Sequence, residues 1–197
     1  SKGHGFSKFY IDGLKDLKKK KIKILEIGSY AGASAAAFSK YFNKSLVYCF
    51  DVNISKFVYK SKKIKVFGLD INNKNETEKV LKQISLETQS NFFDVIIDDG
   101  SHYLSDILLS LKNLFKYVIK GGTYVIEDFK HPNYYKYNKD IDHIFMDQVL
   151  KNLEKKVYFD SSILNEADQT FLHENINKIG IFKGNLKNSD ICFIKKN

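Results

Sequence analysis

Acidic side chains follow five apolar segments of this sequence, and they are the residues best suited to carry chemistry. Acids that follow five separate segments are too numerous to be explained only as solvated ends. Carboxylate oxygens favour Mg²⁺, Mn²⁺ or Ca²⁺ over zinc, and they also accept hydrogen bonds from hydroxyl groups. The acids concerned are Glu26, Asp51, Asp70, Asp98, Asp99, Glu127 and Asp128.

The same acids have an ordinary structural explanation, in which they cap helices or pair with lysine. If the fourth and fifth segments are neighbouring strands, however, their ends lie about 5 Å apart. Asp99, Glu127 and Asp128 would then raise one another's pKa values unless a cation intervened. At this point the metal-bound and metal-free interpretations are both open.

The turn Glu26-Ile27-Gly28-Ser29-Tyr30-Ala31-Gly32 distinguishes between classes of cofactor. A dinucleotide-binding turn has the pattern G-x-G-x-x-G, which lets the backbone approach a pyrophosphate. Tyr30 occupies the second glycine position here, so the turn suits a ligand without phosphate, such as S-adenosylmethionine. Asp51 is placed to accept hydrogen bonds from two ribose hydroxyls. The alternative is a glycine turn that serves only the packing of strand against helix.

The elements that position these residues alternate between strand and helix. Continuous apolar runs predict five strands that are buried on both faces, which is typical of a parallel sheet covered by helices. A pattern of helical spacing follows the first, third and fourth strands, and another precedes the first. The predicted strands are Ile22–Gly28, Leu46–Val52, Lys63–Asp70, Phe93–Gly100 and Gly122–Phe129.

The last third of the chain has a different character. We predict an exposed loop at KHPNYYKYNK, an amphipathic helix over Ile141–Leu153 and a terminal hairpin that turns at Gly184-Asn185. The fold class predicted for the whole chain is therefore α/β, a doubly wound, mostly parallel, seven-stranded Rossmann-like sheet with a C-terminal antiparallel hairpin. We expect one domain spanning residues 1–197.

Three segments carry a resemblance to a known family: Ile96–His102 (IIDDGSH), Leu114–Asp128 (LFKYVIKGGTYVIED), and Lys2-Gly3-His4-Gly5-Phe6 with Tyr10. Together they resemble the metal-dependent sugar O-methyltransferases. These are class I S-adenosylmethionine-dependent methyltransferases related to the macrolide sugar methyltransferases and the cephalosporin-hydroxylase-like sequences. The similarity covers residues 1–130 well and the terminal hairpin more loosely.

The resemblance implies roles for individual residues. Asp99, Glu127 and Asp128 would bind the metal, and His102 would act as general base beside Asp99 as a catalytic residue. The alternative for His102 is a capping or packing role at a helix start. Residues 1–20 would cover the cofactor, which would be bound by Lys2, Gly3, Glu26, Gly28, Ser29, Gly32, Ser34, Asp51, Val52, Asp70, Ile71 and Asp98.

Residues 130–140 would face the acceptor through His131, Tyr134 and Tyr135, although KHPNYYKYN departs from the family pattern. The implied activity is transfer of a methyl group from S-adenosylmethionine to a hydroxyl of a sugar or glycan precursor, for example in bacterial capsule polysaccharide biosynthesis, with Mg²⁺ assisting. Three alternatives are kept: a nitrogen or phosphoryl-type oxygen of a small anionic metabolite as acceptor, a nucleic-acid methyltransferase, and a non-catalytic cofactor-binding partner.

The composition limits the partners. The net charge is +9, but all 32 basic residues are lysine. Arginine, which reads guanine and clamps phosphate, is absent, and this argues against nucleic acid. Cys49 and Cys192 lie in apolar runs, and no run reaches the length of a membrane span or a signal sequence. We therefore expect a cytoplasmic protein with a sugar-linked acceptor, and homo-oligomers are possible.

Overall fold

Seven strands form one mixed sheet in the computed structural model, which describes residues 3–90 and 92–197 apart from the side chains of residues 139 and 140. The strands are β1 (Ile22–Ile27), β2 (Ser45–Asp51), β3 (Ile64–Gly68), β4 (Phe93–Asp98), β5 (Val118–Glu127), β6 (Ile176–Lys183) and β7 (Asp190–Lys196). Their order is β3-β2-β1-β4-β5-β7-β6. The first five strands are parallel, and β7 pairs antiparallel with both β5 and β6. The predicted fold class is confirmed.

Helices cover both faces of the sheet. They are α1 (Ser7–Leu14), α2 (Ala33–Tyr41), α3 (Lys74–Thr88), α4 (Leu104–Leu114), α5 (Lys136–Asp142), α6 (Met146–Lys155) and α7 (Glu166–Asn175). One core packs α1 and α2 against β1 and β2, and a larger core packs α3, α4, α6 and α7 against the opposite face. Among the described residues, none of the helices is both long and apolar enough to cross a membrane.

Some predicted elements differ from the structure. β5 begins at Val118, because Gly121 adopts a φ of +73° within the strand instead of ending the preceding helix. The single helix predicted over Ile141–Leu153 is wrong, since α5 ends at Asp142 and His143 has a φ of +50°. The predicted loop is a 3-10 turn, His131–Tyr134, followed by α5.

Candidate functional site

The carboxyl ends of β1, β4 and β5 meet at one edge of the sheet. Ile27 lies opposite Asp98, and Asp98 lies opposite Ile126, so the residues that follow these strands are neighbours. Gly28 has a φ of +80°, and a Cβ atom there would lie 2.0 Å from the carbonyl oxygen of Asp99. A side chain at position 28 would therefore push β1 and β4 apart, which explains the glycine.

Three side chains from these ends converge on one point. Asp99, His102 and Asp128 each offer a ligand atom, and the three atoms lie within 4.8 Å of one another. His102 Nε2 is 3.7 Å from Asp99 Oδ1. Burial, together with the nearby carboxylates of Glu127, Glu26 and Asp128, raises the pKa of Asp99 to about 9. A divalent cation would stabilise the ionised form of such a group, so these residues fit a metal site.

The backbone at this point is unusual. His102 and Asp128 have φ angles of +59° and +51°, and Tyr30, on the rim of the same site, has a φ of +43°. Left-handed conformations cost non-glycine residues of order 1–3 kcal/mol each and concentrate at functional sites. The arrangement supports an assignment of function to this edge.

Glu127, the third of the predicted metal ligands, is joined to α1 by a hydrogen bond. Its Oε1 accepts a hydrogen bond of 2.6 Å from the hydroxyl of Tyr10 in α1. The Tyr10 ring is held edge-on by Phe38 and Phe193. Burial raises the pKa of Glu127, whereas the hydrogen bond from Tyr10 lowers it. Asp99 and Asp128 thus stand together as predicted, with Glu127 beside them and joined to α1.

The segment before α1 lies over the cluster. His4 Nδ1 is 3.1 Å from Asp128 Oδ2 and 2.8 Å from the hydroxyl of Ser189, in the connection between β6 and β7. The amide of Asn185 donates to the carbonyl oxygen of His4 at 2.8 Å.

Burial lowers the pKa of His102, an effect that Asp128 opposes. The His102 imidazole is therefore neutral near pH 7 and able to accept a proton.

Two cavities open on either side of Gly28. The smaller has a volume of about 340 Å³ and the larger about 710 Å³, and they share Gly28, Tyr30, Asp99 and His102 on their rims. The smaller is lined by Asp51, Val52, Asp70, Ile71 and Asp98, and the larger by Ser29 and Ser34, all of them predicted donor-binding residues. The larger cavity is also walled by Ser7, Tyr10 and Ile11 of α1.

Other predicted residues lie outside these linings. Glu26 is buried behind the turn, and Gly3 is exposed. Gly32 directly precedes α2 and has a φ of +81°, and a Cβ atom there would meet the Phe57 ring at 2.5 Å. Lys2 lies outside the described residues.

Asp51 organises the smaller cavity. Its Oδ2 accepts from the amide of Tyr30 at 2.7 Å, and its Oδ1 accepts from the amide of Asn53 at 2.8 Å. Asp70 similarly accepts from the amide of Asn72 at 2.9 Å. Because each carboxylate oxygen has more than one lone pair, both groups retain acceptors for a ligand's hydroxyls.

Two acids near the cavities are buried and carry raised pKa values. Burial raises the pKa of Glu26, and hydrogen bonds from Ser34 and Ser29 oppose this shift. The resulting pKa is about 7. Burial also raises the pKa of Asp98 to about 7. Asp98 accepts hydrogen bonds from the amide of Gly100 at 3.3 Å and from the hydroxyl of Tyr124 at 3.4 Å.

Among the predicted acceptor residues, His131 and Tyr135 form one group next to His102, and Tyr134 lies beside Lys187. The His131 ring centroid lies 5.5 Å from that of His102, and the hydroxyl of Tyr135 is 3.3 Å from His131 Nε2. Tyr134 is half exposed and lies beside Lys187, whose Nζ is 6.0 Å from the ring centroid.

Sequence reasoning missed Ser101, Asn72 and Asp106, which line the smaller cavity. Asn72 Nδ2 donates to Asp106 Oδ1 at 3.0 Å, and the hydroxyl of Ser101 donates to the same carboxylate. The signal available was the position of Ser101 directly after the DDG sequence of Asp98–Gly100.

Comparison with known proteins finds curated relatives of similar sequence, among them two O-methyltransferases. The chain is 27% identical over 132 residues to mycinamicin VI 2''-O-methyltransferase of Micromonospora griseorubida, across 64% of this chain and 31% of that protein. It is 31% identical over 132 residues to L-olivosyl-oleandolide 3-O-methyltransferase of Streptomyces antibioticus, across 64% of this chain and 32% of that protein. The chain thus spans about a third of the length of the curated relatives it matches. No protein-family model matches the chain.

One solved structure agrees with the sequence relatives. A methyltransferase from the mycinamycin biosynthetic pathway, in complex with Mg and SAH, superposes with a TM-score of 0.71 at 20% identity. The match covers 97% of this chain and 49% of that chain. The methyltransferase fold and the predicted resemblance to macrolide sugar O-methyltransferases are both confirmed.

Proposed function

We propose that this chain transfers a methyl group from S-adenosylmethionine to a hydroxyl of a sugar or glycan precursor with the help of a divalent cation. The chain shares the methyltransferase fold and resembles the macrolide sugar O-methyltransferases. One observation carries the proposal: Asp99 and His102 of the cluster stand on the rim that the two cavities share, and Asp128 lies beside them in the lining of the larger cavity. A donor and an acceptor held on either side of that rim would meet at these residues.

The residues present fit the donor. Its adenosine half suits the smaller cavity, where Asp51 and Asp70 offer acceptors to hydroxyl and amino groups and Ile71 offers an apolar wall. Its amino-acid half would pass over Gly28 towards Ser29 and Ser34. The absence of a second glycine at Tyr30 is consistent with a donor that has no phosphate.

The residues also fit a cation. Asp99 and Asp128 would hold it, with Glu127 alongside, and an all-oxygen set of this kind favours Mg²⁺. Such an ion, when bound, lowers the pKa of a coordinated hydroxyl group.

The protein's other tasks are to align the donor with the acceptor and to remove the proton of the acceptor hydroxyl. The acceptor oxygen forms a bond to the methyl carbon while the carbon–sulfur bond breaks, and the electron pair of that bond stays on sulfur as a neutral thioether. His102 takes the hydroxyl proton at an imidazole nitrogen. Because the sulfonium donor is already activated, positioning of the two reactants is the enzyme's main contribution.

The experiment that tests this function follows formation of S-adenosylhomocysteine with a panel of sugar nucleotides, glycosides and phosphorylated metabolites, with and without EDTA. We expect a sugar hydroxyl to be methylated, activity to vanish on chelation and Mg²⁺ to restore it. Methylation of a nitrogen or phosphoryl oxygen would overturn the assignment of the acceptor. Full activity in excess EDTA would overturn the metal site.

Variants separate metal binding from donor binding. Asp99→Asn and Asp128→Asn should abolish turnover while calorimetry shows donor affinity largely retained. Asp160→Asn removes an exposed carboxylate between α6 and α7 that lines neither cavity, and serves as the matched control. If the two cluster variants kept Mg²⁺-dependent turnover, these carboxylates would not be the ligands.

The cellular setting is also part of the proposal. Cys49 and Cys192 are free and buried, which suits the reducing cytoplasm of a bacterium. The names of the relatives refer to macrolide compounds. We propose a capsule-type glycan precursor or another glycosylated compound as the acceptor.

A further inference from the structure

A group of tyrosine rings lies beside the proposed transfer point, and among them only Tyr135 is a predicted acceptor residue. The His131 ring, which contacts that of His102, has its centroid 5.0 Å from that of Tyr135. Tyr135 stacks on Tyr137 at 5.3 Å with 27° between the ring planes, and Tyr103 meets Tyr137 edge-on at 5.6 Å. We call Tyr103, Tyr135 and Tyr137 the tyrosine platform.

The backbone beneath the platform is fixed by one buried side chain. Asn138 is only 1% exposed. Its Nδ2 donates to the carbonyl oxygen of Pro132 at 3.0 Å, and its Oδ1 accepts from the amide of Leu104 at 3.4 Å. These bonds join α5 to the 3-10 turn and to the start of α4. The rings therefore stand on a positioned surface rather than on a free loop.

The platform is open to solvent. Tyr103, Tyr135 and Tyr137 are 46%, 37% and 47% exposed. In addition, His131 Nδ1 is buried and has no hydrogen-bond partner among the described residues. Aromatic faces with hydroxyl tips match a ring that has C–H groups on one face and hydroxyls at its edge, which is the surface chemistry of a saccharide.

We infer that the tyrosine platform binds a second saccharide ring of the acceptor, next to the ring that is methylated. This inference rests on the proposed function. His131 stands between His102 and the stacked pair of Tyr135 and Tyr137, so a sugar stacked on that pair is one ring away from the proposed base. The acceptor is thus a disaccharide, a longer glycan or a glycoside with two sugar rings.

The test measures sugar binding directly, in the presence of S-adenosylhomocysteine and Mg²⁺. Saturation-transfer NMR titrations would compare maltose, lactose and diacetylchitobiose with glucose, galactose and N-acetylglucosamine. We expect at least one disaccharide to bind more tightly than its monosaccharide. Tyr135→Ala and Tyr137→Ala should weaken that disaccharide about two- to tenfold, the range for loss of an aromatic contact. Tyr137→Ala should leave binding of the monosaccharide unchanged.

Two controls isolate the stacking interaction. Tyr137→Phe keeps the ring and should retain disaccharide binding. Tyr158→Ala removes a tyrosine that is 52% exposed at a different place, and should have no effect. Thermal unfolding of each variant reports whether it is folded under the conditions of the titration.

Three results would overturn the inference. The first is equal disaccharide affinity in the wild type and the platform variants, and the second is no binding of any disaccharide in the panel by the wild type. The third is that uridine monophosphate binds instead of the disaccharides and that its binding depends on the platform. A failure of the proposed function would look different, because the protein would then bind no S-adenosylhomocysteine by calorimetry or methylate no sugar.

Discussion

Replacement of Glu26 by glutamine tests whether ionisation of the buried Glu26 carboxyl group, near the carboxyl edge of the sheet, lowers the stability of the folded protein. Glu26 is 1% exposed, and burial raises its pKa from 4.5 to about 7. The folded protein therefore holds this proton more tightly than the unfolded chain does. As the pH rises above 4.5 the unfolded chain ionises first, so stability falls until about pH 7 and then stays at the lower level.

The size of this effect follows from the two pKa values. Their difference corresponds to about 3 kcal/mol, and about 2–3 kcal/mol of it is lost between pH 5 and pH 8. Glutamine has nearly the same shape and does not ionise. The stability of Glu26→Gln relative to wild type should therefore increase by about 2–3 kcal/mol from pH 5 to pH 8, whatever constant cost the amide brings.

The assay is denaturant unfolding at pH 5, 6, 7 and 8 in EDTA without donor. Other buried acids titrate in both proteins, so their contribution largely cancels when the two curves are subtracted. Glu87→Gln is the control, because Glu87 is exposed and the hydrogen bond from Lys65 lowers its pKa. Its stabilising effect is already complete at pH 5, and that variant should gain no stability towards pH 8. A difference between wild type and Glu26→Gln that stays the same at all four pH values would refute the reasoning.

Three further predictions concern the proposed site. His102→Ala should lower kcat by about 10²–10⁴-fold, the usual range for loss of a general base, with donor and Mg²⁺ affinities unchanged by calorimetry; near-normal turnover at saturating acceptor would make His102 structural. Asp51→Ala should weaken donor binding by about 1–3 kcal/mol through lost hydrogen bonds, and unchanged affinity would contradict the assigned ribose contact. Tyr10→Phe should lower the free energy of unfolding by about 1–3 kcal/mol, because Glu127 loses a hydrogen bond. Tyr41→Phe, in the same cavity, should have little effect on the free energy of unfolding. Equal changes in this free energy for the two variants would contradict the prediction.

Much of the fold could be predicted from the sequence because buried parallel strands are continuous apolar runs. Errors arose where backbone conformation decided the outcome. Gly121 interrupts β5 without ending it, and His143 adopts a left-handed conformation that apolar spacing does not report. Helix α7 was not predicted, although Asn165 and Asp168 form a capping box at its start.

The candidate site divides in the same way. That acids from neighbouring strand ends meet could be predicted, because parallel strands end at a common edge. The hydrogen bond between Tyr10 and Glu127 spans 117 residues, and nothing in the spacing of the sequence determines how α1 crosses the sheet. The 3-10 turn after Asp128 was likewise missed, because Pro132 suits an exposed loop as well as the first turn of a helix.

The contact between His4 and Ser189 joins residues that are 185 positions apart. Every proposed metal ligand precedes residue 130, yet the segment that lies over Asp128 is held by the connection between the last two strands. During synthesis the ligands therefore emerge from the ribosome well before the strand β7 that must insert beside β5, and contacts of such long range form slowly. Because the segment over Asp128 depends on the connection between β6 and β7, a chain shortened before β7 would keep all its carboxylates without their final arrangement.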